Sequence, residues 1–262
     1  DDAMADCQTL ASDYSMNADL YFLTGCVALA MDAYDEVASN FEQAYGEKAD
    51  YDMALQIYEA YQSRGMEADG TRYLEAILKT EPGNAEDYCE RGRIYYYMQD
   101  YENARNELTK ASEKGSVEAL SLLGMVCLAQ NDTAAARSMY QDYLNAEESR
   151  KAEGYNGLAL CDIADGDYQS ALVNIASGLE AADTDEMQEL LFNEIVAYEK
   201  QLDFNTAFSK AQEYMKMYPD DQEAKKELEF LQSRIAQENV EEPAPEEGQD
   251  TASAEEQTSW EG

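Results

Sequence analysis

The sequence predicts an all-α fold, an α-solenoid built from stacked helix hairpins. One spacing of small and apolar residues recurs at intervals of about 34 residues, a period typical of repeat proteins. Within each unit, apolar residues recur every three or four positions on both sides of a polar turn, which describes two amphipathic helices. The chain of 262 residues contains only four prolines, so its helices are seldom interrupted. Six units share one register and begin near residues 18, 51, 85, 117, 152 and 188.

Each unit is defined by residues at fixed places, counted from its first residue. In the unit that begins at Ala85, Gly92 lies at place eight, Ala104 at place 20 and Leu108 at place 24. Small residues at places eight and 20 allow two helix backbones to approach closely. The other five units hold, at these three places, Gly25, Val37 and Phe41; Tyr58, Gly70 and Leu74; Gly124, Ala136 and Tyr140; Ala159, Ala171 and Ile175; and Ile195, Ala207 and Ala211.

This pattern resembles the tetratricopeptide repeat, which also has a proline at place 32. Pro82 and Pro219 fall at that place and end their helices, because proline cannot continue a helix. Asn84 then caps the next helix, with Asp87 three residues on as its partner. The resemblance covers roughly residues 18–221 and implies a right-handed superhelix.

The chain departs from the family pattern at two places. The tryptophan that is usual at place four is absent from all six units. The tyrosine that is usual at place 11 is kept in three units, as Tyr61, Tyr95 and Tyr198. The remaining units hold Ala28, Cys127 and Asp162 there.

The segments that flank the repeats complete the predicted organisation. Residues 1–17 are predicted to form a helix of an incomplete repeat, residues 18–219 the six repeats, and residues 220–238 a C-terminal cap helix. Residues 239–262 hold eight acids and no base, so we expect an acidic disordered tail that carries the single tryptophan, Trp260. The apolar residues of the two flanking helices are Ala3, Cys7 and Leu10, and Ala224, Leu228, Leu231 and Ile235.

The charge of the chain limits its partners. The sequence has 56 acids and 18 bases, a net charge of −38. Such a field repels nucleic acid and anionic membranes, so we expect neither as a partner. It favours a neutral or basic protein or peptide, although a solvated acidic exterior explains the same composition without any partner.

The content of cysteine and histidine argues against catalysis and metal binding. The chain has no histidine, which removes imidazole bases and histidine-containing zinc sites. None of the five cysteines forms a C-x-x-C pair, and all lie on predicted helices, so we expect buried thiols. We therefore expect no enzyme, no cofactor and no metal. No stretch reaches the roughly 18 apolar residues that a membrane-spanning helix needs, so we expect no membrane insertion by this segment.

Most tyrosines are also expected in the core. They lie on apolar repeat places and are Tyr34, Tyr61, Tyr95, Tyr101, Tyr140, Tyr143, Tyr168, Tyr198 and Tyr214.

The resemblance implies that places two, five, six, nine, 12 and 13 of each first helix line a concave groove. Place two is acidic in all six units. An acidic ladder for a lysine- or arginine-bearing peptide explains this row, and so does the favourable effect of an acid at the positive end of a helix. Tyr96 and Tyr97 are either contact area for a partner or packing against an adjacent unit. The predicted groove residues are Asp52, Glu86, Arg93, Tyr96, Tyr97, Glu118, Met125, Glu153, Glu189, Phe192 and Asn193.

The sequence therefore predicts a non-catalytic scaffold that binds a polypeptide in an acid-rimmed groove. Only Arg93 and Asn193 hint at the basic pattern with which some tetratricopeptide domains hold a C-terminal carboxylate, so that activity is not expected. The alternative is a bacterial cell-surface module, similar to repeat-containing lipoproteins, that binds wall or glycan fragments. A first residue other than Met favours an extracytoplasmic location, whereas five unpaired cysteines also suit a reducing cytoplasm. The sequence leaves the oligomeric state open.

Overall fold

The computed structural model describes residues 2–147, 149–184 and 187–241. These residues divide into two compact units, an N-terminal unit that ends at Asn193 and a C-terminal unit that begins at Glu194. Fourteen α-helices lie in the described residues, and they are α1 Asp2–Tyr14, α2 Ala18–Ala30, α3 Tyr34–Glu47, α4 Tyr51–Gln62, α5 Glu67–Ile77, α6 Ala85–Tyr97, α7 Tyr101–Glu113, α8 Glu118–Ala129, α9 Thr133–Asn145, α10 Lys151–Asp165, α11 Tyr168–Ala181, α12 Met187–Lys200, α13 Phe204–Met217 and α14 Gln222–Glu241.

Helices of the N-terminal unit pack as consecutive hairpins. The pairs α2–α3, α4–α5, α6–α7, α8–α9 and α10–α11 each pack closely, and we number these hairpins repeats 1 to 5. Each first helix also contacts the first helix of the next repeat, from α2 through α4, α6 and α8 to α10. The prediction of an all-α solenoid is confirmed.

A glycine at place eight makes room for the large residue at place 24 of the same repeat. A Cβ atom at Gly25 would lie 2.5 Å from the ring of Phe41, and one at Gly124 would lie 2.6 Å from the ring of Tyr140. The ring of Tyr140 also lies against Gly157 of the next repeat. Its side chain is therefore enclosed by glycines of two successive hairpins and is 2% exposed. A larger residue at either glycine would have to push the ring away.

Repeat 2 uses the opposite arrangement, with a large residue at place eight. Tyr58 lies there, and Gly70 occupies place 20 of the facing helix. A Cβ atom at Gly70 would lie 2.9 Å from the Cα atom of Tyr58. The two backbones approach closely because the missing side chain is on the second helix rather than on the first.

The turn between the two helices has one conformation in all six repeats. The residue at place 15 has a positive φ of 57° to 79°. The next N–H then bonds the carbonyl at place 11, as from Asp100 to Tyr95 and from Asp132 to Cys127, both at 2.9 Å. The residues at place 15 are Asp32, Gly65, Gln99, Asn131, Gly166 and Leu202.

An aspartate at place 16 links this turn to the second helix. The Asp132 carboxylate accepts a hydrogen bond from the N–H of Ala135 at 3.1 Å and so caps α9. Asp100, Asp167 and Asp203 cap their helices in the same way.

Four of the five thiols and four of the nine tyrosines that the sequence places in the core are buried. Cys7, Cys89, Cys127 and Cys161 are buried, Cys26 is half-buried, and all five are free thiols. Burial raises the pKa of the Cys89 and Cys161 thiols to about 11, so both stay protonated at neutral pH.

The expectation that Tyr34 lies in the core is wrong. Tyr34 is half exposed, and its hydroxyl donates a hydrogen bond to the Asp32 carboxylate at 3.0 Å. Tyr34 is the first residue of α3, where the side chain turns toward solvent rather than into the hairpin. Tyr61, Tyr140, Tyr143 and Tyr214 are buried, and Tyr95, Tyr101, Tyr168 and Tyr198 are half-buried.

In the C-terminal unit α13 packs against α14. Ala224 and Leu231 of α14 are fully buried, and Asp221 caps the helix through the N–H of Ala224 at 3.0 Å. The helix continues to Glu241, three residues beyond the expected end of the cap. The rest of the expected tail, including Trp260, lies outside the described residues. At the other end of the chain, Cys7 is buried but Leu10 is 40% exposed.

The turn at Gly166 yields a stability prediction. Gly166→Ala should lower the free energy of unfolding by about 1 kcal/mol, because an L-residue is strained at a φ of +79°. Nothing lies within 4 Å of the new Cβ atom, so the cost comes from the backbone. Urea unfolding followed by circular dichroism measures the change.

Gly46→Ala is the matched control for that substitution. Gly46 lies within α3, and a Cβ atom there also meets nothing within 4 Å. Helix propensity should make this change stabilising by about 0.5–1 kcal/mol. The same sign for both substitutions would contradict the role of the left-handed turn.

Candidate partner-binding surface

The surface predicted to bind a partner is formed by first helices that lie side by side. Side-chain caps fix the starts of α4 and α6: Asp50 accepts from the N–H of Met53 at 2.9 Å, and Asn84 accepts from the N–H of Asp87 at 2.8 Å. The Asp87 carboxylate accepts from the N–H of Gly83 at 2.7 Å. In a capping box it would accept from the N–H of the capping residue itself, Asn84. We use the name first-helix face for places two, five, six, nine, 12 and 13 of α4, α6, α8 and α10, with residues 187–193 of α12.

All six place-two acids lie in the first turn of their helices, where the helix dipole favours a negative charge. The Asp52 carboxylate also accepts hydrogen bonds from Gln56 at 2.8 Å and from Lys48 at 3.2 Å. Both hydrogen bonds lower the pKa of Asp52, and the bond from Gln56 has the larger effect. Glu86 is exposed at the start of α6. The full row is Asp19, Asp52, Glu86, Glu118, Glu153 and Glu189.

Two of these acids join consecutive repeats. The Ser121 hydroxyl at place five donates to Glu153 at place two of the next repeat, at 2.5 Å. Asn156 at place five donates in the same way to Glu189, at 3.1 Å. Asn193 completes the second link by donating to the side-chain oxygen of Asn156 at 2.7 Å. Part of the predicted ladder therefore bonds the protein to itself.

Glu153 has three polar partners among the described residues. Besides Ser121, it accepts hydrogen bonds from the Tyr143 hydroxyl at 2.8 Å and from the Arg150 guanidinium at 2.6 Å. Tyr143 is buried, and its oxygen also accepts from the backbone N–H of Arg150 at 3.1 Å. This carboxylate thus fixes the start of α10 against α8 and α9 and is engaged within the protein.

Arg93 supplies a positive charge between two acids of the first-helix face. It forms ion pairs with Glu90 at 3.3 Å on its own helix and with Glu118 at the start of α8. Burial raises the pKa of Glu90, and the nearby Arg93 opposes that shift. The group therefore links repeats 3 and 4 and leaves Glu118 exposed to solvent on one side.

Tyr96 and Tyr97 are half-buried and contact two different neighbours. The Tyr97 ring lies 5.8 Å from that of Tyr58 in repeat 2, and its hydroxyl donates to Glu59 at 3.2 Å. The Tyr96 ring lies 5.9 Å from that of Tyr101 and 6.1 Å from that of Tyr97. The packing interpretation therefore applies to one side of each ring. The interpretation as contact area for a partner stays a prediction for the surface that remains exposed.

The two apolar groove residues are both half-buried. Met125 packs against the buried cluster of repeats 3 and 4, which includes Leu108 and Val126. Phe192 lies one turn after the start of α12.

No helix of the described residues has the length and apolarity to cross a membrane.

Sequence reasoning did not select Ser121, Asn156 and Glu90 as site residues. Ser121 and Asn156 are polar but buried, at 1% and 8% exposure, among mostly apolar buried neighbours on their helices. The repeat register could have indicated Ser121 and Asn156. Each is a polar residue at place five, and each precedes the place-two acid of the next repeat, by 32 and 33 residues. Glu90 shares the face with Arg93, but only its pairing distance shows the link.

Solved structures share this arrangement of helices. A tetratricopeptide repeat protein from Parabacteroides merdae ATCC 43184 is similar over 88% of this chain and 91% of its own length, with a TM-score of 0.66 and 15% identity. This chain has the tetratricopeptide-repeat fold. The resemblance predicted from the register is thus confirmed at the level of fold.

Two longer proteins contain a similar stretch of repeats. The human IFIT1 dimer with PPP-AAAA matches 90% of this chain, with a TM-score of 0.53 and 16% identity. The APC/C hetero-tetramer Cut9–Hcn1 matches 88%, with a TM-score of 0.52 and 13% identity. This chain spans 65% of the length of the IFIT1 chain and 46% of the length of the matched chain of the APC/C complex. No protein-family model and no curated protein matches the sequence.

The link through Asn156 yields a second prediction. Asn156→Ala should lower the free energy of unfolding by about 1–3 kcal/mol, because Asn193 and Glu189 lose a shared partner beside a buried position. Urea unfolding measures the change. Asn106→Ala, at an exposed position of α7, is the control and should leave stability nearly unchanged. Equal effects at the two sites would show that the link contributes nothing.

Proposed function

We propose that the protein is a non-catalytic scaffold that binds a polypeptide partner on the first-helix face of its N-terminal unit. The observation that carries the proposal is the pair Tyr96 and Tyr97, whose ring centroids lie 6.1 Å apart. Both residues are half-buried, and each ring packs against a further tyrosine. Tyr58 and Tyr101 hold these rings in place. Tyrosine rings fixed in this way offer contact area at a small cost in conformational entropy.

Apolar side chains extend this surface beyond the tyrosines. Met125 and Leu128 are three residues apart on α8, and Leu160 and Ile163 are three residues apart on α10, so each pair shares one helix face. All four are half-buried and keep part of their apolar surface in contact with water. A partner that covers them gains free energy from burial.

Acids at the helix starts set the charge that the partner needs. Glu86, Glu118 and Glu189 are exposed on the first-helix face, although Glu189 also accepts from Asn156. Glu153 is less exposed and is bonded within the protein. Arg93 offsets Glu90 and Glu118 only locally. The partner segment is therefore neutral or basic and carries large apolar side chains.

Two other classes of partner fit less well. Binding of wall or glycan fragments needs several tyrosine rings open to solvent, whereas Tyr61, Tyr140 and Tyr143 are buried. Nucleic acid is opposed by the net charge of −38, although the similar IFIT1 structure contains PPP-AAAA.

A peptide-binding experiment tests the proposal. Labelled 12-residue peptides that combine lysine or arginine with leucine, phenylalanine or tyrosine are titrated with the protein, and fluorescence anisotropy reports binding. Glu86→Lys should weaken the best binders by about tenfold, because it reverses an exposed charge on the first-helix face. Peptides of the same length with acids in place of the bases should not bind.

Glu102→Lys is the matched control. Glu102 is also an exposed acid in the first turn of a helix, but it lies on the second helix α7. The change alters net charge and helix dipole to the same extent and should leave binding intact. Equal losses in both variants, or no binding by the unchanged protein, would overturn the proposal.

A further inference from the structure

Repeats 4 and 5 share an ion-pair network that crosses from one repeat to the next. Arg137, at place 21 of repeat 4, donates to Asp162 at 2.7 Å and to Asp165 at 2.9 Å, which are places 11 and 14 of repeat 5. Asp162 is 4% exposed and also accepts from Asn174 at 2.7 Å. A buried carboxylate at place 11 thus meets an arginine at place 21 of the preceding repeat.

One repeat earlier, the arginine is present and the carboxylate is not. Arg105 lies at place 21 of repeat 3, and places 11 and 14 of repeat 4 hold Cys127 and Gln130. The Arg105 guanidinium donates to the Gln130 side chain, as Arg137 does to Asp165. Within the described part of the chain, however, Arg105 forms no ion pair, and a neutral thiol stands where Asp162 would be.

A cleft of about 440 Å³ lies beside Arg105, between α7 and α9, with α8 as its floor. Leu120 and Cys127 form part of that floor, at places four and 11 of repeat 4. Repeat 3 holds Tyr88 and Tyr95 at the same two places. The cleft therefore opens where two smaller side chains replace aromatic ones, and its volume is in the range of ligand-binding pockets.

The two ends of the cleft carry opposite charges. Arg105 lies at one end, and Glu113 and Asp142 line the other. Arg105 and Glu113 are eight residues apart on one helix, which is about 12 Å. Leu123 and Met139 give the stretch between them an apolar lining. An extended peptide covers this distance in about four residues.

We propose that this cleft is a second binding site, for a short polypeptide segment with a carboxylate at one end, a large apolar side chain in the middle and a lysine or arginine at the other end. The segment's carboxylate supplies Arg105 with the partner that Arg137 has in Asp162. Its base meets Glu113 and Asp142, and its apolar side chain packs against Leu123 and Met139. The site lies on α7, α8 and α9 and uses none of the residues of the first-helix face.

Charge order gives this site a specificity that the first-helix face does not have. A segment with bases at both ends places one of them against Arg105, and a segment with acids at both ends places one against Glu113 and Asp142. Either mismatch is unfavourable, since like charges are brought together.

The test uses labelled five-residue peptides with blocked ends and fluorescence anisotropy at physiological salt. One set has an acid at position one, phenylalanine, leucine or methionine at position three and a base at position five. Two comparison sets carry acids at both ends or bases at both ends. The full chain should bind the first set in preference to both others.

Two substitutions on the cleft rim locate the binding. Thr109→Trp, at an exposed residue of the lining, should block the cleft and weaken binding by about tenfold. Gln141→Trp, an equally exposed position on α9 that does not line the cleft, should leave binding unchanged. Both variants keep the core intact, which thermal unfolding checks.

A charge reversal tests the role of the arginine. Arg105→Glu should remove the preference for the acid–base set and shift it to peptides with bases at both ends. Lys114→Glu makes the same change in charge at an exposed residue outside the lining and should not shift it. The proposal is overturned if the three peptide sets bind alike, or if both tryptophan variants weaken binding equally. Because Glu86→Lys does not touch the cleft, a failure here is distinct from a failure at the first-helix face.

Discussion

The packing of the place-24 side chain against place eight is the constraint on which the rest of the structure depends. Gly124 lets the Tyr140 ring lie directly on the first helix of its own repeat, and Gly157 receives the other side of the ring from the next repeat. One side chain thus fixes both the width of a hairpin and its distance to its neighbour. Overpacking at such a contact is costly, because close-packed interiors have no space to absorb a methyl group.

This packing determines which residues remain for recognition. With Phe41, Leu108 and Tyr140 committed to the core, polar residues at places two and five meet across the repeat boundary. There they form links such as that of Asn156 with Glu189. The surface that is left consists of half-buried tyrosines and apolar residues on the first helices, and of a cleft on the other side where the packing is incomplete. The tyrosine pair and the cleft arise from departures from the repeat, whereas the acids at place two are shared by all six units.

The sequence predicts the local structure well because the signals are short in range. An aspartate at place 16 and a proline at place 32 each act within a few residues, and a glycine at place eight acts within its own hairpin. The partners of Arg93, Glu153 and Asn156 in other repeats were not selected from the sequence, since each of these bonds also depends on how the neighbouring repeat is placed. The cleft could not be predicted for the same reason, because it depends on Cys127 being small and on how α7 of the preceding repeat is placed.

The most direct test of this account is a double-mutant cycle at the central contact. Gly124→Ala should lower the free energy of unfolding by about 1–3 kcal/mol in the unchanged chain, because its Cβ atom would lie 2.6 Å from the Tyr140 ring. In a Tyr140→Leu background the same substitution should cost much less, which gives a coupling energy of about 1 kcal/mol or more. Additive effects of the two substitutions would contradict the claim that this contact sets the spacing of the repeats.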